Sequence, residues 1–163
     1  MTTTRIHWAD LPGSVHQGVT ARLGTPILAA ETVSAGFNSE IAARLTTSSG
    51  TVFVKGMQLS HPRVWTQRRE AEINHYVAGL APALLWHLEV GGWCLVAFEH
   101  VEARHADYKV VGDLELMVET LSRLGHTSCP RSSFAGPSSD GPPTWTTRRC
   151  CRGSPEVACC TPT

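Results

Sequence analysis

Lys55 closes a short alternating run, Thr51-Val52-Phe53-Val54-Lys55, and a carboxylate, Glu70, follows fifteen residues later in a stretch with helical patterning. Alternation of apolar and polar residues marks a half-buried strand. Downstream, Ile73 and Val77 supply an apolar stripe, and Glu70 stands on or beside it, the face a helix turns toward a sheet. A strand lysine and a helix glutamate brought to one side of a sheet make a strong demand on the order of the surrounding elements.

The rest of the chain meets that demand. Leu11, Val15, Val19 and Leu23 recur every fourth residue, which predicts a first helix capped by Asp10 and stopped by Gly24. A strand over Pro26 to Val33 follows, then the small-residue loop Ser34-Ala35-Gly36-Phe37-Asn38-Ser39. Ile41, Ala43 and Leu45 alternate against Glu40, Arg44 and Thr46 as a second strand, and Thr47-Ser48-Ser49-Gly50 turns into the Lys55 strand. Ser60 with Pro62 opens a helix expected to run from Pro62 to Leu80, ended by Pro82. Strands over Ala83–Val90 and Trp93–Phe98 meet at Gly91-Gly92, a two-residue hairpin signal. Asp113 is placed to cap a last helix with Leu114, Met117, Val118, Leu121 and Leu124 on one face, closed by Gly125. The expected fold is α+β: a five-stranded antiparallel sheet with a helix inserted between the third and fourth strands.

Composition narrows the partners. The formal net charge is zero, which gives no electrostatic reason to expect nucleic acid or an anionic membrane. No apolar run reaches transmembrane length and Met1-Thr2-Thr3-Thr4-Arg5-Ile6-His7-Trp8 lacks a signal-peptide core, so the expectation is a cytoplasmic protein.

With these residues the chain resembles the aminoglycoside phosphotransferase family, small-molecule kinases of the protein-kinase-like fold, over about Leu11 to Leu124. The resemblance rests on Ser-Ala-Gly-Phe-Asn-Ser-Glu (34–40), Val-Phe-Val-Lys (52–55), Arg-Glu-Ala-Glu-Ile-Asn (69–74) and Leu-Val-Ala-Phe-Glu-His-Val-Glu-Ala-Arg (95–104). It implies the N-terminal lobe of that fold, with ATP and magnesium as cofactors and an aminoglycoside or similar hydroxylated acceptor. It further implies that Gly36, Asn38 and Ser39 cover the phosphates and that Lys55 binds them while paired to Glu70. Main-chain groups of Phe98, Glu99, His100 and Val101 would meet the adenine. The phosphate loop departs from the glycine-rich form, since it holds one glycine. Taken singly, these residues have plainer readings: Lys55 as a solvated strand lysine, Glu70 as a partner of Arg68 or Arg69, and the loop as a turn. His100 and His105 are incidental.

The family's catalytic loop, His-x-Asp followed by Asn, and its metal-binding Asp are absent from this sequence, so no catalytic residue is assigned. From Cys129 onward the chain has no Leu, Ile, Met, Lys, Asn, Gln, His or Tyr, and it collects five of the six cysteines. Such a stretch does not build a core. The reading is a kinase-like lobe over 1–128 and a disordered, out-of-frame tail over 129–163. Shifting the frame across Ala158-Cys159-Cys160-Thr161-Pro162-Thr163 permits Leu-Leu-His-x-Asp, the missing loop. The expected function is therefore a truncated, inactive phosphotransferase. Two alternatives stand beside it: a non-catalytic nucleotide-binding or interaction module, and a metal-binding tail built on Cys150-Cys151 and Cys159-Cys160. Adjacent cysteines are poor zinc knuckles, and no metal ligand is assigned.

Overall fold

The computed structural model describes residues 5–34, 36 and 38–128. The expectations for 129–163, the out-of-frame tail and its cysteine pairs, lie outside the described residues. The strands are β1 (Ile27–Thr32), β2 (Ile41–Thr47), β3 (Gly50–Gln58), β4 (Leu84–Val90) and β5 (Trp93–Glu99), and the helices are α1 (Gly13–Leu23), α2 (Trp65–Ile73) and α3 (Val111–Gly125). All neighbouring strands are antiparallel, in the order β1-β2-β3-β5-β4. The expected five-stranded sheet with a helix between its third and fourth strands is thus present.

The two faces of the sheet are divided by alternation. Ala43, Val54, Ala97 and Trp86 are register partners, and they turn toward α1, where Val15 and Val19 are fully buried. Leu45, Leu95, Ile41, Trp93 and Trp8 complete this core. The opposite face carries α2.

Two glycine sites fix the register. Gly91 and Gly92 have φ of 58° and 81°, the left-handed pair that a tight hairpin turn requires and that β-carbons resist. At Gly56 the constraint is space, because an added Cβ would lie 2.6 Å from the Cys94 carbonyl oxygen of β5. Gly56→Ala should cost about 1–3 kcal/mol through overpacking against backbone that cannot yield, read as a lower urea midpoint.

Three helix boundaries differ from expectation. Asp10 does not cap α1; it ends a 3-10 turn, Trp8–Asp10, and Pro12 stands at the N-cap. Buried Trp8 anchors this entry, its N–H donating to Thr32 Oγ1 at 3.0 Å and its ring stacking on His16. The second helix is shorter than 62–80, and Ser60 does not cap it. Residues 59–64 make separate turns, with Leu59 N–H bonded to the Gly92 carbonyl and Val64 N–H to that of His61. At the other end Asn74 receives the Leu84 N–H on Oδ1 (2.8 Å) and donates Nδ2 to the Pro82 carbonyl (2.9 Å). This side-chain staple offers the chain an alternative to helix, and a 3-10 turn, Asn74–Val77, replaces the last turns.

The third difference is at α3. Val110 is the N-cap, and Asp113 sits inside the first turn. It accepts both Arg104 guanidinium nitrogens (2.5 and 2.7 Å) and the Asp107 N–H (2.7 Å). The Arg104 hydrogen bonds, then that of Asp107, hold the Asp113 carboxyl down from 3.8 to about 2. Because the folded value is the depressed one, its contribution to stability is complete above about pH 4 and is lost as pH falls toward 2. Replacing Arg104 by Gln should return the Asp113 titration, followed by carboxyl-carbon NMR, toward the ordinary range.

Candidate nucleotide cleft

Register sets the site on the α2 face. Ala42, Lys55, Val96 and His87 form one row across the strands, and Arg44, Phe53 and Phe98 form the next. Lys55 Nζ donates to Glu70 Oε1 at 2.6 Å, with the two side chains 23% and 37% exposed. Its ammonium also lies 5.3 Å from the centroid of the Phe98 ring, within cation–π range. Of the nearby arginines, Arg68 turns the other way and donates to Glu89 Oε1 at 2.6 Å. The sequence left Glu70 a choice of cations; the fold gives it Lys55.

This pair forms one wall of an open cleft of about 510 Å³. Val33, Phe53 and Phe98 supply apolar surface, and the chain from Phe98 to Val101 runs along its edge. Glu99 is the last residue of β5, where its N–H donates to the Ala83 carbonyl and its Oε1 accepts the Ala83 N–H. That clasp ends the ladder. Beyond it, no hydrogen bond among the described residues uses the main-chain N–H or C=O of His100 or Val101. Planar heterocycles that carry a donor beside an acceptor suit such an edge.

Six of the expected site residues therefore converge: Lys55, Glu70, Phe98, Glu99, His100 and Val101. Gly36, Asn38 and Ser39 do not line this cleft. Arg5 donates to the Gly36 carbonyl (2.8 Å) and to Ser39 Oγ (3.2 Å), and Ser39 is buried. Asn38 Oδ1 accepts from Arg63 and its carbonyl accepts from Gln67. The loop's polar groups thus tie it to the N-terminal segment and α2.

Sequence reasoning passed over the Arg44–Glu31 ion pair at the cleft. The signal was available, since Arg44 alternates with Ala43 and so shares the Lys55 face. Among the described residues, a magnesium ion would find no carboxylate in this cleft without a partner to displace. Its carboxylates are already engaged, Glu31 by Arg44, Glu70 by Lys55 and Glu99 by the Ala83 N–H.

Comparison with known proteins bears on the fold. No family model and no curated protein matches the chain. Among solved structures the chain is similar to "Putative fructosamine-3-kinase" from Haemophilus somnus 129PT, with a TM-score of 0.53 and 18% identity. The match covers 72% of this chain and 40% of that one, so this chain spans less than half the length of its structural neighbour. At this identity the likeness is one of fold: the described residues have the architecture of a kinase-like N-terminal lobe. No helix among them is long and apolar enough to cross a membrane.

Proposed function

We propose that this chain is the nucleotide-gripping lobe of a small-molecule phosphotransferase of the aminoglycoside phosphotransferase type. The observation that carries the reading is the Lys55–Glu70 pair, set in a cleft beside the main chain of His100 and Val101, which bonds to none of the described residues. Lys55 would bond the α- and β-phosphate oxygens of ATP with Glu70 fixing its position, and residues 100–101 would meet the adenine. Gly36, Asn38 and Ser39, which do not line the cleft, would cover the phosphates only after leaving their Arg5, Arg63 and Gln67 partners. The neighbour's name supports a kinase and suggests a sugar-amine acceptor; aminoglycosides are the acceptor class that the sequence resemblance suggests.

Phosphoryl transfer needs more than this grip. No His-x-Asp followed by Asn stands in the sequence: His105-Ala106-Asp107 lies between β5 and α3, and no Asn comes after it. Loss of a general base alone costs about 10²–10⁴ in rate. The chain is therefore assigned weak nucleotide binding at most, without transfer, with a dissociation constant of about 1 mM at best, or about −4 kcal/mol. Incubation with ATP, magnesium and a panel of aminoglycosides and fructosamines should give no phosphorylated product. Reproducible turnover lost in Lys55→Ala would overturn the inactive assignment while keeping the site.

A further inference from the structure

On the same face, toward the hairpin end of the sheet, three side chains unused by the cleft come together. His87 and Glu89 are two apart on β4 and so point the same way, and Cys94 is the register partner of Glu89 on β5. Their nitrogen, oxygen and sulfur atoms all lie within 4.8 Å of one another, His87 Nε2 being 3.3 Å from Cys94 Sγ and 3.7 Å from Glu89 Oε1. Tetrahedral zinc, at about 2.0–2.1 Å from nitrogen, 2.0–2.2 Å from oxygen and 2.3 Å from sulfur, places its ligand atoms about 3.3–3.6 Å apart. The His87–Cys94 and His87–Glu89 separations are already close to these values, and the Glu89 carboxylate has to leave Arg68 to close the set. We infer that His87, Glu89 and Cys94 form a binding site for a zinc-class divalent ion, with solvent in the fourth position.

Chemistry and access both suit such an ion. Imidazole, carboxylate and thiolate are the ligand types zinc takes. Cys94 closes the inner side, fully buried, while His87 and Glu89 remain about one-third exposed and leave a path from solvent. Without metal, Arg68 occupies Glu89. Metal entry displaces the Arg68 guanidinium from Glu89, and the thiol binds as thiolate, its proton passing to solvent. The site is independent of the nucleotide reading.

The full chain also carries Cys129, Cys150, Cys151, Cys159 and Cys160, so the test uses the full-length protein with those five changed to Ser. Titration with cobalt(II), a spectroscopic stand-in for zinc, should produce a thiolate charge-transfer band that saturates at one equivalent and is abolished by zinc. His87→Ala and Glu89→Gln should each weaken binding by more than the about 10–100-fold typical for loss of an outer-shell partner, with circular dichroism unchanged. Arg68→Ala should strengthen it several-fold by freeing Glu89. A missing band, or one that persists at equal affinity in His87→Ala, would overturn the assignment.

Discussion

Lys55→Ala is expected to abolish measurable ATP binding while leaving the fold intact. Lys55 supplies the cation that Glu70 aims into the cleft, whereas Arg44 is already held by Glu31. A hydrogen bond to a charged group contributes about 1.5–3 kcal/mol. Removing it also leaves the Glu70 carboxylate facing the phosphates without its counter-ion. From a starting value of about −4 kcal/mol, a loss of this size puts binding beyond calorimetric detection. Glu70→Gln keeps the ammonium and a hydrogen-bond acceptor, so it should weaken binding by a smaller factor. Thermal stability should barely change in either variant, since a partly exposed ion pair contributes about 0–1 kcal/mol.

Leu45→Ala should be the most damaging single truncation for stability. Leu45 is fully buried in the middle of β2, between register partners Ala30 and Val52. Strands on both sides keep the site from collapsing, so the cavity persists and the cost is about 2–5 kcal/mol. Against a domain stability of about 5–15 kcal/mol, that approaches unfolding at ambient temperature. The urea midpoint should fall with little change in slope. Leu28→Ala, on the exposed side of β1, should stay within about 0.5 kcal/mol.

Local signals made the sheet legible. The alternation in β2 gave its buried face, and Gly91-Gly92 gave the hairpin register. Lys55 and Glu70 were legible because one ends an alternating run and the other stands beside a stripe. What escaped depends on contacts distant in sequence. The end of α2 is set by Asn74 reaching Pro82 and Leu84, partners that exist only after β4 has packed. Gln67, rather than Ile73, is the buried residue of α2, and its amide Nε2 donates to the distant Asn38 carbonyl. Arg5 clasping Gly36 and Ser39 bridges more than thirty residues. The His87-Glu89-Cys94 group could have been found by counting outward from the hairpin turn, which pairs Glu89 with Cys94.

The last helix, α3, shows what patterning alone leaves open. Its stripe of Leu114, Val118, Leu121 and Leu124 is where the periodicity put it, yet none of these side chains is buried. Amphipathic spacing states which side is apolar without supplying what covers it.

The most direct test of the central reading is an amide NMR titration of the isotope-labelled chain with ATP. The account predicts that the largest shifts fall on His100 and Val101 and around Lys55 and Glu70, that they saturate at about millimolar concentration, and that they vanish in Lys55→Ala. Shifts confined to other surfaces, or an unchanged titration in that variant, would contradict it.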